Sequence, residues 1–317
     1  MTNLVRSFSI CKACKRSELT IDRVVYNDYV TGSAFELKIC KSCNAAFTHP
    51  VPADIDYYYP ENYRRYGKLV ILGLELVFIF LQNSLSRRFK VGRQSSLLEI
   101  GCGPGLLLRF FRDRGWKTVG IERNERVANL ARLEKGLEIY ACDIADLPTD
   151  QSFDLVLMFN VLEHLDDPIT VLRECRNRLS VGGRIVVTVP NFNCWQRRIF
   201  KDYWLHLDVP RHLSHFTSAS LEALASHSDL VVESSRNTAF IHDLYGWVDS
   251  FLSRIVCRQN ILTSWLMGLR GFSSKVLIAL LLAPAAILAF GPITLISWIF
   301  RKSSLTEFVI ARDDGTG

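Results

Sequence analysis

Residues 97–105 read LLEIGCGPG, an apolar run that enters a turn with three glycines. The residues that follow, 106–111, read LLLRFF. This order predicts a buried strand, a tight loop and a helix. Because glycine has no Cβ and adopts positive φ, such a loop lets backbone N–H groups at the helix start approach an anionic ligand closely.

The spacing of the glycines indicates which class of cofactor the loop binds. A dinucleotide fingerprint needs its third glycine at the sixth position, which Leu106 occupies here. The spacing therefore argues against NAD or FAD, although a plain strand-to-helix turn in another α/β protein remains an alternative. The stretch resembles the first motif of class I S-adenosylmethionine-dependent methyltransferases. The resemblance implies that this cofactor is bound by Glu99, Gly101, Cys102, Gly103 and Gly105.

Further candidates for cofactor binding follow the next predicted strands. Glu122 ends the second strand, where an acidic residue can accept hydrogen bonds from both ribose hydroxyls. In similar methyltransferases, residues at the places of Asp143 and Ile144 contact the adenine, and Asn160 follows the fourth strand. The predicted fold class is α/β, with a doubly wound, seven-stranded Rossmann-like methyltransferase sheet, a small N-terminal zinc ribbon and a hydrophobic helical insert before the last strand.

Charge and composition indicate which binding partners and which cellular compartment to expect. The 317 residues carry a formal net charge of +6, and the basic residues are scattered along the chain. We therefore expect no nucleic acid partner, whereas an anionic membrane surface suits basic residues beside apolar segments. Residues 1–10 lack the apolar core of a secretory signal, which predicts a cytoplasmic protein.

Four of the nine cysteines form two CxxC pairs with 25 residues between them: Cys11, Cys14, Cys40 and Cys43. This pattern predicts a closed, structural zinc site with four thiolate ligands. Residues 21–26 and 35–39 alternate in the strand period, as the hairpins of a zinc ribbon would. A redox dithiol pair is the alternative interpretation.

A candidate catalytic segment lies beyond the fifth predicted strand, where residues 204–217 read WLHLDVPRHLSHFT. It resembles a segment of many methyltransferases encoded with surface-glycan and small-molecule pathways. A histidine with a pKa near neutrality is a suitable base for the methyl acceptor. His215 and His212 are the first candidates and His164 is the next, with a packing or capping role as the alternative for each.

Two metal hypotheses concern the same histidines. His212 and His215 could bind a metal together, although the sequence shows no third ligand. The pair Glu163 and His164 resembles quinone O-methyltransferases, some of which hold a divalent ion here. Asn160 stands where a further acidic residue would be expected, which argues against that ion.

The apolar run 69–81 is too short to span a bilayer, and it predicts a helix that lies either across the catalytic domain or at a membrane interface. A second hydrophobic feature is the uncharged stretch 276–300, which is long enough to cross a bilayer. However, residues 305–310 resemble the last antiparallel strand of the sheet, so both ends of the stretch must lie on one side. Pro284 and Pro292 offer breaks, which predicts two short helices in a re-entrant or monotopic anchor, helped by the amphipathic residues 244–269. A true transmembrane helix and a buried oligomer interface are the alternatives.

The predicted division of the chain has four parts: a zinc ribbon (1–50), an aromatic linker and an apolar helix (51–92), a methyltransferase domain (93–242 with 303–313) and a membrane-associating insert (243–302). The predicted function is O-methylation of a membrane-associated or lipid-linked acceptor, such as a glycolipid, a polyprenyl-linked sugar or a quinone precursor. One alternative is a soluble sugar-nucleotide or small-metabolite methyltransferase whose apolar insert only mediates oligomerisation. Another is a membrane-tethered module that binds the cofactor without turnover.

Overall fold

The computed structural model describes residues 8–22, 24–59, 79, 81–148, 150–237 and 240–313. The apolar helix expected over 69–81 falls almost entirely outside these residues, whereas residues 81–89 are helical. The four-part division of the chain stays a prediction.

The twelve strands of the described residues form two sheets. The strands are β1 (Leu19–Ile21), β2 (Tyr26–Asn27), β3 (Ala34–Cys40), β4 (Ala46–His49), β5 (Ser96–Ile100), β6 (Lys117–Ile121), β7 (Ile139–Tyr140), β8 (Phe153–Phe159), β9 (Leu179–Pro190), β10 (Ser214–His215), β11 (Leu230–Asn237) and β12 (Leu305–Arg312). The helices are α1 (Leu106–Arg112), α2 (Glu125–Lys135), α3 (Pro168–Asn177), α4 (Trp195–Phe200), α5 (Ser218–Ser226), α6 (Phe240–Ile255), α7 (Ile261–Leu266) and α8 (Ser274–Ile299).

The larger sheet has seven strands in the order β11-β12-β9-β8-β5-β6-β7. The pairs from β7 to β9 are all parallel, and β12 is antiparallel to both of its neighbours. Strand β5 is buried along its whole length because the sheet is covered on both faces. The predicted α/β fold with a seven-stranded sheet is confirmed.

One local prediction in this sheet is wrong. A glycine pair after a helical pattern predicts a helix end, so the sequence predicts that Gly182 and Gly183 close the helix that begins at Pro168. Instead, α3 ends at Asn177 and both glycines lie inside β9. The register of β8 against β9 shifts at this point. A Cβ on Gly183 would lie 2.8 Å from the carbonyl oxygen of Phe153, so glycine here permits the close approach of two strands.

The smaller sheet is the predicted ribbon with one added strand. Its order is β1-β3-β4-β10, with β2 paired to β3. The single strand expected over 21–26 is divided, because β1 ends at Ile21 and β2 begins at Tyr26. Strand β10 comes from the histidine segment and pairs antiparallel to β4, with Ser214 opposite Phe47.

The ribbon packs on the central sheet and shares its core. Cys11, Cys43 and Phe47 are buried in the same apolar cluster as Leu98 of β5 and Val187 of β9. The two sheets therefore form one packed structure through a common set of buried side chains.

The insert contains one long helix, so the predicted break into two short helices is wrong. Helix α8 runs through Pro284 and Pro292, and both prolines lie on its exposed side. Its other side packs on α6, where the rings of Phe290 and Trp247 stack at 5.3 Å. Among the described residues, α8 is the one helix long and apolar enough to cross a membrane by length and composition. Its exposed aliphatic side chains include Leu277, Ile278, Leu281, Leu282, Leu288, Leu295, Ile296 and Ile299.

Candidate functional site

The glycine loop after β5 lies at the carboxyl edge of the central sheet. Gly101, Gly103 and Gly105 have φ values of 70°, 52° and 66°. A Cβ on Gly101 would lie 2.5 Å from Val161, and one on Gly105 would lie 2.5 Å from Leu137. A Cβ on Gly103 would meet nothing within 4 Å. The middle glycine therefore faces open space in which a ligand can contact bare backbone.

Two carboxyl groups lie beside this loop. Glu122 accepts a hydrogen bond from the Gly103 N–H at 3.0 Å and another from the Asn124 N–H at 2.9 Å. Glu99 is buried, and its Oε2 has no hydrogen-bond partner in the described part of the chain. Burial, together with the negative charge of Glu122, raises the pKa of Glu99 to about 8. A buried carboxyl with an open oxygen fits a ligand that brings a donor or a positive charge.

The other predicted cofactor residues surround the same edge. Asp143 directly precedes a short 3-10 helix, and Ile144 is its buried first residue. Asn160 follows β8 with a φ of 53°, and its N–H donates to the Thr188 carbonyl. Cys102 is buried under the loop, and burial raises the pKa of its thiol. The roles of these residues in cofactor binding stay predictions.

Glu163, His164 and His212 meet beyond the end of β8. One ligand-type atom from each residue lies within 4.8 Å of the other two. The rings of His164 and His212 are edge to face, with centroids 4.7 Å apart. His212 Nε2 lies 3.9 Å from Glu163 Oε1 and 3.9 Å from Asp208 Oδ2.

The hydrogen bonds of both rings define which nitrogen faces this group. Nδ1 of His164 lies 2.9 Å from the Arg211 carbonyl oxygen and 3.0 Å from the Tyr59 hydroxyl. Nδ1 of His212 lies 2.9 Å from the His206 carbonyl oxygen. Because a carbonyl only accepts, each neutral ring donates its Nδ1–H and keeps its lone pair on Nε2. Such a ring can take a proton or bind a cation through Nε2.

His215 has a different environment. It is 2% exposed, its ring lies 5.5 Å from that of Phe192, and its Nε2 lies 3.2 Å from Thr48 Oγ1. Burial is the main cause that lowers the pKa of His215 to about 3, so the ring is neutral at pH 7. The ring of His215 contacts that of His212, with centroids 6.2 Å apart. The groups that could bind a cation together with His212, however, come from Glu163 and His164.

Sequence reasoning missed two residues that border this group. Arg211 has no exposed surface and donates to Asp28 and Asp208 at 2.7 Å each and to the Tyr58 carbonyl at 2.6 Å. Tyr59 lies in the aromatic stretch 57–63 of the predicted linker, and such a stretch predicts packing between domains as well as the lining of a pocket. Nothing in the sequence around Asp28 indicates that it is the partner of Arg211.

The four cysteines of the two CxxC pairs converge at one end of the ribbon, with their Sγ atoms all within 4.8 Å of one another. The Sγ distances are 3.6 Å for Cys11 to Cys43 and 3.6 Å for Cys14 to Cys40. A tetrahedral ion with Zn–S bonds of about 2.3 Å places its sulfur atoms about 3.8 Å apart. The cluster thus suits one tetrahedral metal ion.

The apolar insert returns to the carboxyl edge of the sheet. Because β12 is antiparallel, its first residue, Leu305, pairs with Pro190 at the carboxyl end of β9. The rings of Phe300 and Trp195 lie 5.8 Å apart, and Phe300 is 62% exposed. The exposed end of α8 therefore lies on the same edge as the glycine loop and the histidines.

We expect Gly103→Val to reduce the affinity for S-adenosylhomocysteine at least tenfold, because the side chain would occupy the open space beside the backbone. Isothermal titration calorimetry measures this. The matched control is Gly182→Val, since Gly182 also has positive φ and free space but lies in β9 near the opposite edge. Equal affinities for Gly103→Val and the wild type would contradict the assignment of the loop.

Comparisons with known proteins agree with this fold. Residues 76–235, about half of the chain, match the family model described as a methyltransferase domain. The ubiquinone biosynthesis O-methyltransferase of Idiomarina loihiensis is 36% identical over 104 residues, which are 31% of this chain and 43% of that protein. A protein of the same name from Stutzerimonas stutzeri is 33% identical over 104 residues, 31% of this chain and 45% of the relative. The chain thus spans less than half the length of these relatives.

One solved structure has a similar fold over a longer part of this chain. The structure described as a sarcosine dimethylglycine methyltransferase from Galdieria sulphuraria superposes with a TM-score of 0.50 at 15% identity, covering 75% of this chain and 86% of that one. The match to the family model and the order of the seven strands lead to one conclusion: the chain belongs to the class I S-adenosylmethionine-dependent methyltransferases.

Proposed function

We propose that this chain is an S-adenosylmethionine-dependent methyltransferase that O-methylates a membrane-associated or lipid-linked acceptor. A glycolipid, a polyprenyl-linked sugar or a quinone precursor has the required chemistry. The observation that carries the proposal is the shared edge: the glycine loop, the pair His164 and His212, and the exposed end of α8 all lie there. The relatives named as O-methyltransferases support oxygen as the acceptor atom.

The cofactor would lie along the ends of β5 to β8. Glu122 would accept the ribose hydroxyls in place of the Gly103 N–H, and the open oxygen of Glu99 would accept from the amino-acid part. Asp143 and Ile144 would contact the adenine, with Asn160 nearer to the transferred group. When bound, the cofactor supplies a methyl group already activated on a sulfonium.

The residues of the chain then have to align the acceptor and remove its proton. We assign the base to the Nε2 lone pair of His212 or His164, because both rings already donate through Nδ1. Nε2 would take the proton of the acceptor O–H, and the acceptor oxygen would receive the methyl group that the cofactor supplies, which leaves S-adenosylhomocysteine. The positive charge on His212 would be stabilised by Glu163 and Asp208. His215, with its buried ring, then has a positioning role.

The same three residues also support a second role. Glu163 and two imidazole Nε2 atoms form a donor set that binds divalent cations, and Nδ1–H bonds to carbonyls are typical of histidines that bind metals. A cation there would orient an acceptor with two neighbouring oxygens. His212 would replace the acidic residue that is missing at Asn160.

We propose that the cytoplasmic protein binds the membrane surface through the exposed side of α8. The exposed side is aliphatic, whereas Val276, Ala286 and Ser297 along the opposite side are buried against the protein. A helix packed in this way along its length suits a monotopic arrangement. The exposed basic residues Arg254 and Arg301 suit an anionic lipid surface.

The first test combines membrane binding with methyl transfer. Leu281→Glu/Leu288→Glu changes two exposed leucines of α8, and Leu133→Glu is a control on α2 with the same exposed residue type. Burying a leucine contributes about 1.5–3 kcal/mol, so we expect the double variant to bind phosphatidylcholine/phosphatidylglycerol vesicles at least tenfold more weakly. Vesicle sedimentation measures this binding.

The same proteins are then given labelled S-adenosylmethionine and a fractionated cell extract. We expect label in the organic-soluble fraction with wild type and Leu133→Glu, and a large loss with the double variant. Label in the aqueous fraction from all three proteins would contradict the lipid-linked acceptor. Retained vesicle binding by a double variant that becomes monomeric would indicate that α8 is an oligomer interface.

Replacing the base is the second test. We expect His212→Ala or His164→Ala to lower kcat by roughly 10²–10⁴-fold while the affinity for S-adenosylhomocysteine changes little. The exposed His227→Ala serves as the control. Loss of activity in wild type on chelator treatment that leaves the ribbon zinc in place, restored by a divalent cation, would indicate the metal role for the group. Full activity in both variants would remove these histidines from the mechanism.

The cysteine cluster gives the third test. We expect one zinc ion per chain by elemental analysis, and a cobalt-substituted protein with the absorption of tetrahedral thiolate ligation. Cys14→Ser should lose the metal, whereas Cys257→Ser, which changes an exposed cysteine outside the cluster, should retain it. A metal-free wild-type protein that stays folded and reduced would argue against a structural zinc ion.

A further inference from the structure

We propose that the ribbon positions the acceptor side of the active site, and that Thr48 of β4 is the residue through which it does so. The proposal rests on the proposed function, since it assigns a part of the chain to the orientation of the catalytic histidines. It gives the ribbon a role in the geometry of the reaction in addition to the stability that a metal would provide.

The first observation is that the ribbon sheet is completed by the histidine segment. Strand β10 pairs with β4, so His215 lies opposite Ala46 and Ser214 opposite Phe47. The Thr48 N–H donates to the Leu213 carbonyl at 3.1 Å. The backbone next to His212 is therefore held by backbone bonds from the ribbon.

The second observation is the hydroxyl of Thr48, which is fully buried between two histidines of the segment. Its Oγ1 donates to the His212 carbonyl at 2.6 Å and lies 3.2 Å from His215 Nε2. The Thr48 hydroxyl donates its one proton to the His212 carbonyl, so its oxygen can only accept from His215. The neutral ring of His215 therefore carries its proton on Nε2. One hydroxyl thus fixes the backbone of His212 and the tautomer of His215.

The third observation is that the ribbon also reaches His164. Asp28 pairs with Arg211 at 2.7 Å, and neither side chain has exposed surface. The carbonyl of Arg211 is the acceptor of the His164 Nδ1–H. Lys12, within the first CxxC pair, contacts Asp166 at 2.6 Å, two residues after His164. The orientation of both proposed catalytic rings therefore depends on residues that the ribbon holds.

The cofactor side is held differently. The N–H groups of Gly101 and Cys102 both donate to the Ile121 carbonyl of β6, at 2.8 and 3.1 Å. The loop takes its geometry from β5 and β6 within the central sheet. A change at Thr48 should consequently affect the acceptor step and leave cofactor binding intact.

The experiment compares Thr48→Val, which keeps the shape and removes a buried hydroxyl, with Thr20→Val as a control that removes an exposed hydroxyl. Thr20 lies in β1 of the same ribbon, and its hydroxyl also donates to a backbone carbonyl, that of Ile39. We expect Thr48→Val to lower kcat/KM for the acceptor roughly 10- to 100-fold, as small misplacements of catalytic groups do. The affinity for S-adenosylhomocysteine should stay within about twofold of wild type, and Thr48→Ser should restore most of the activity.

Two further readouts separate positioning from general stability. Nitrogen-15 NMR of the histidine rings should show a changed tautomer signal for His215 in Thr48→Val and an unchanged one in Thr20→Val. The pH profile of kcat/KM should shift in Thr48→Val alone. If Thr48→Val does not fold, Lys12→Ala replaces it, because this change removes the partly exposed contact with Asp166, and a changed ring signal is then expected for His164.

Several outcomes would overturn the proposal. Unchanged ring signals and unchanged kcat/KM in Thr48→Val and Lys12→Ala would show that the ribbon does not position the histidines. Equal losses of cofactor affinity and acceptor turnover would show that it contributes only stability. If the wild-type protein transfers no methyl group, the proposed function fails, and the NMR signals and calorimetry still decide whether Thr48 holds the rings.

Discussion

The side chain of Arg211 has no exposed surface, so its charge and its N–H groups must be satisfied inside the protein. Asp28 comes from the ribbon, Asp208 from the histidine segment, and the Tyr58 carbonyl from the linker between ribbon and central sheet. Removing one partner of such a group leaves a buried charge uncompensated, which is strongly destabilising. Three parts of the chain are thereby fixed around one guanidinium, and the acceptor side of the site is built on them.

The cofactor-binding side of the fold could be predicted because the residues that form it are close to one another in the sequence. A strand, a glycine loop and a helix follow one another within residues 97–111, and each later strand ends in a polar residue. The family resemblance then implied a doubly wound sheet of seven strands. The acceptor side is different, since Tyr59, His164 and His212 lie far apart in the chain and meet only when β4 and β10 pair. No periodicity in the sequence encodes that pairing, and for this reason the sequence did not show that Glu163 and His164 lie beside His212.

The insert shows a second limit of local reasoning. Proline removes a backbone donor, and Pro284 and Pro292 therefore suggested breaks in the stretch. In the structure both prolines lie within α8 on its exposed side. The hydroxyls of Thr294 and Ser297 donate to carbonyls of the same helix. Packing on α6 over the whole helix outweighs the two lost backbone bonds. Tertiary contacts of this kind are not readable from the hydropathy of the segment.

The pairing of β4 with β10 also has a consequence for synthesis and folding. Thr48 and His212 are separated by 164 positions, so the ribbon leaves the ribosome long before its last strand exists. During that interval the outer edge of β4 offers unpaired backbone groups to any other extended chain. Contacts between residues that are this far apart in the sequence also form slowly during folding. The nascent protein therefore passes through a stage in which the ribbon has an open edge, and translation of residues 214–215 is the event that closes it.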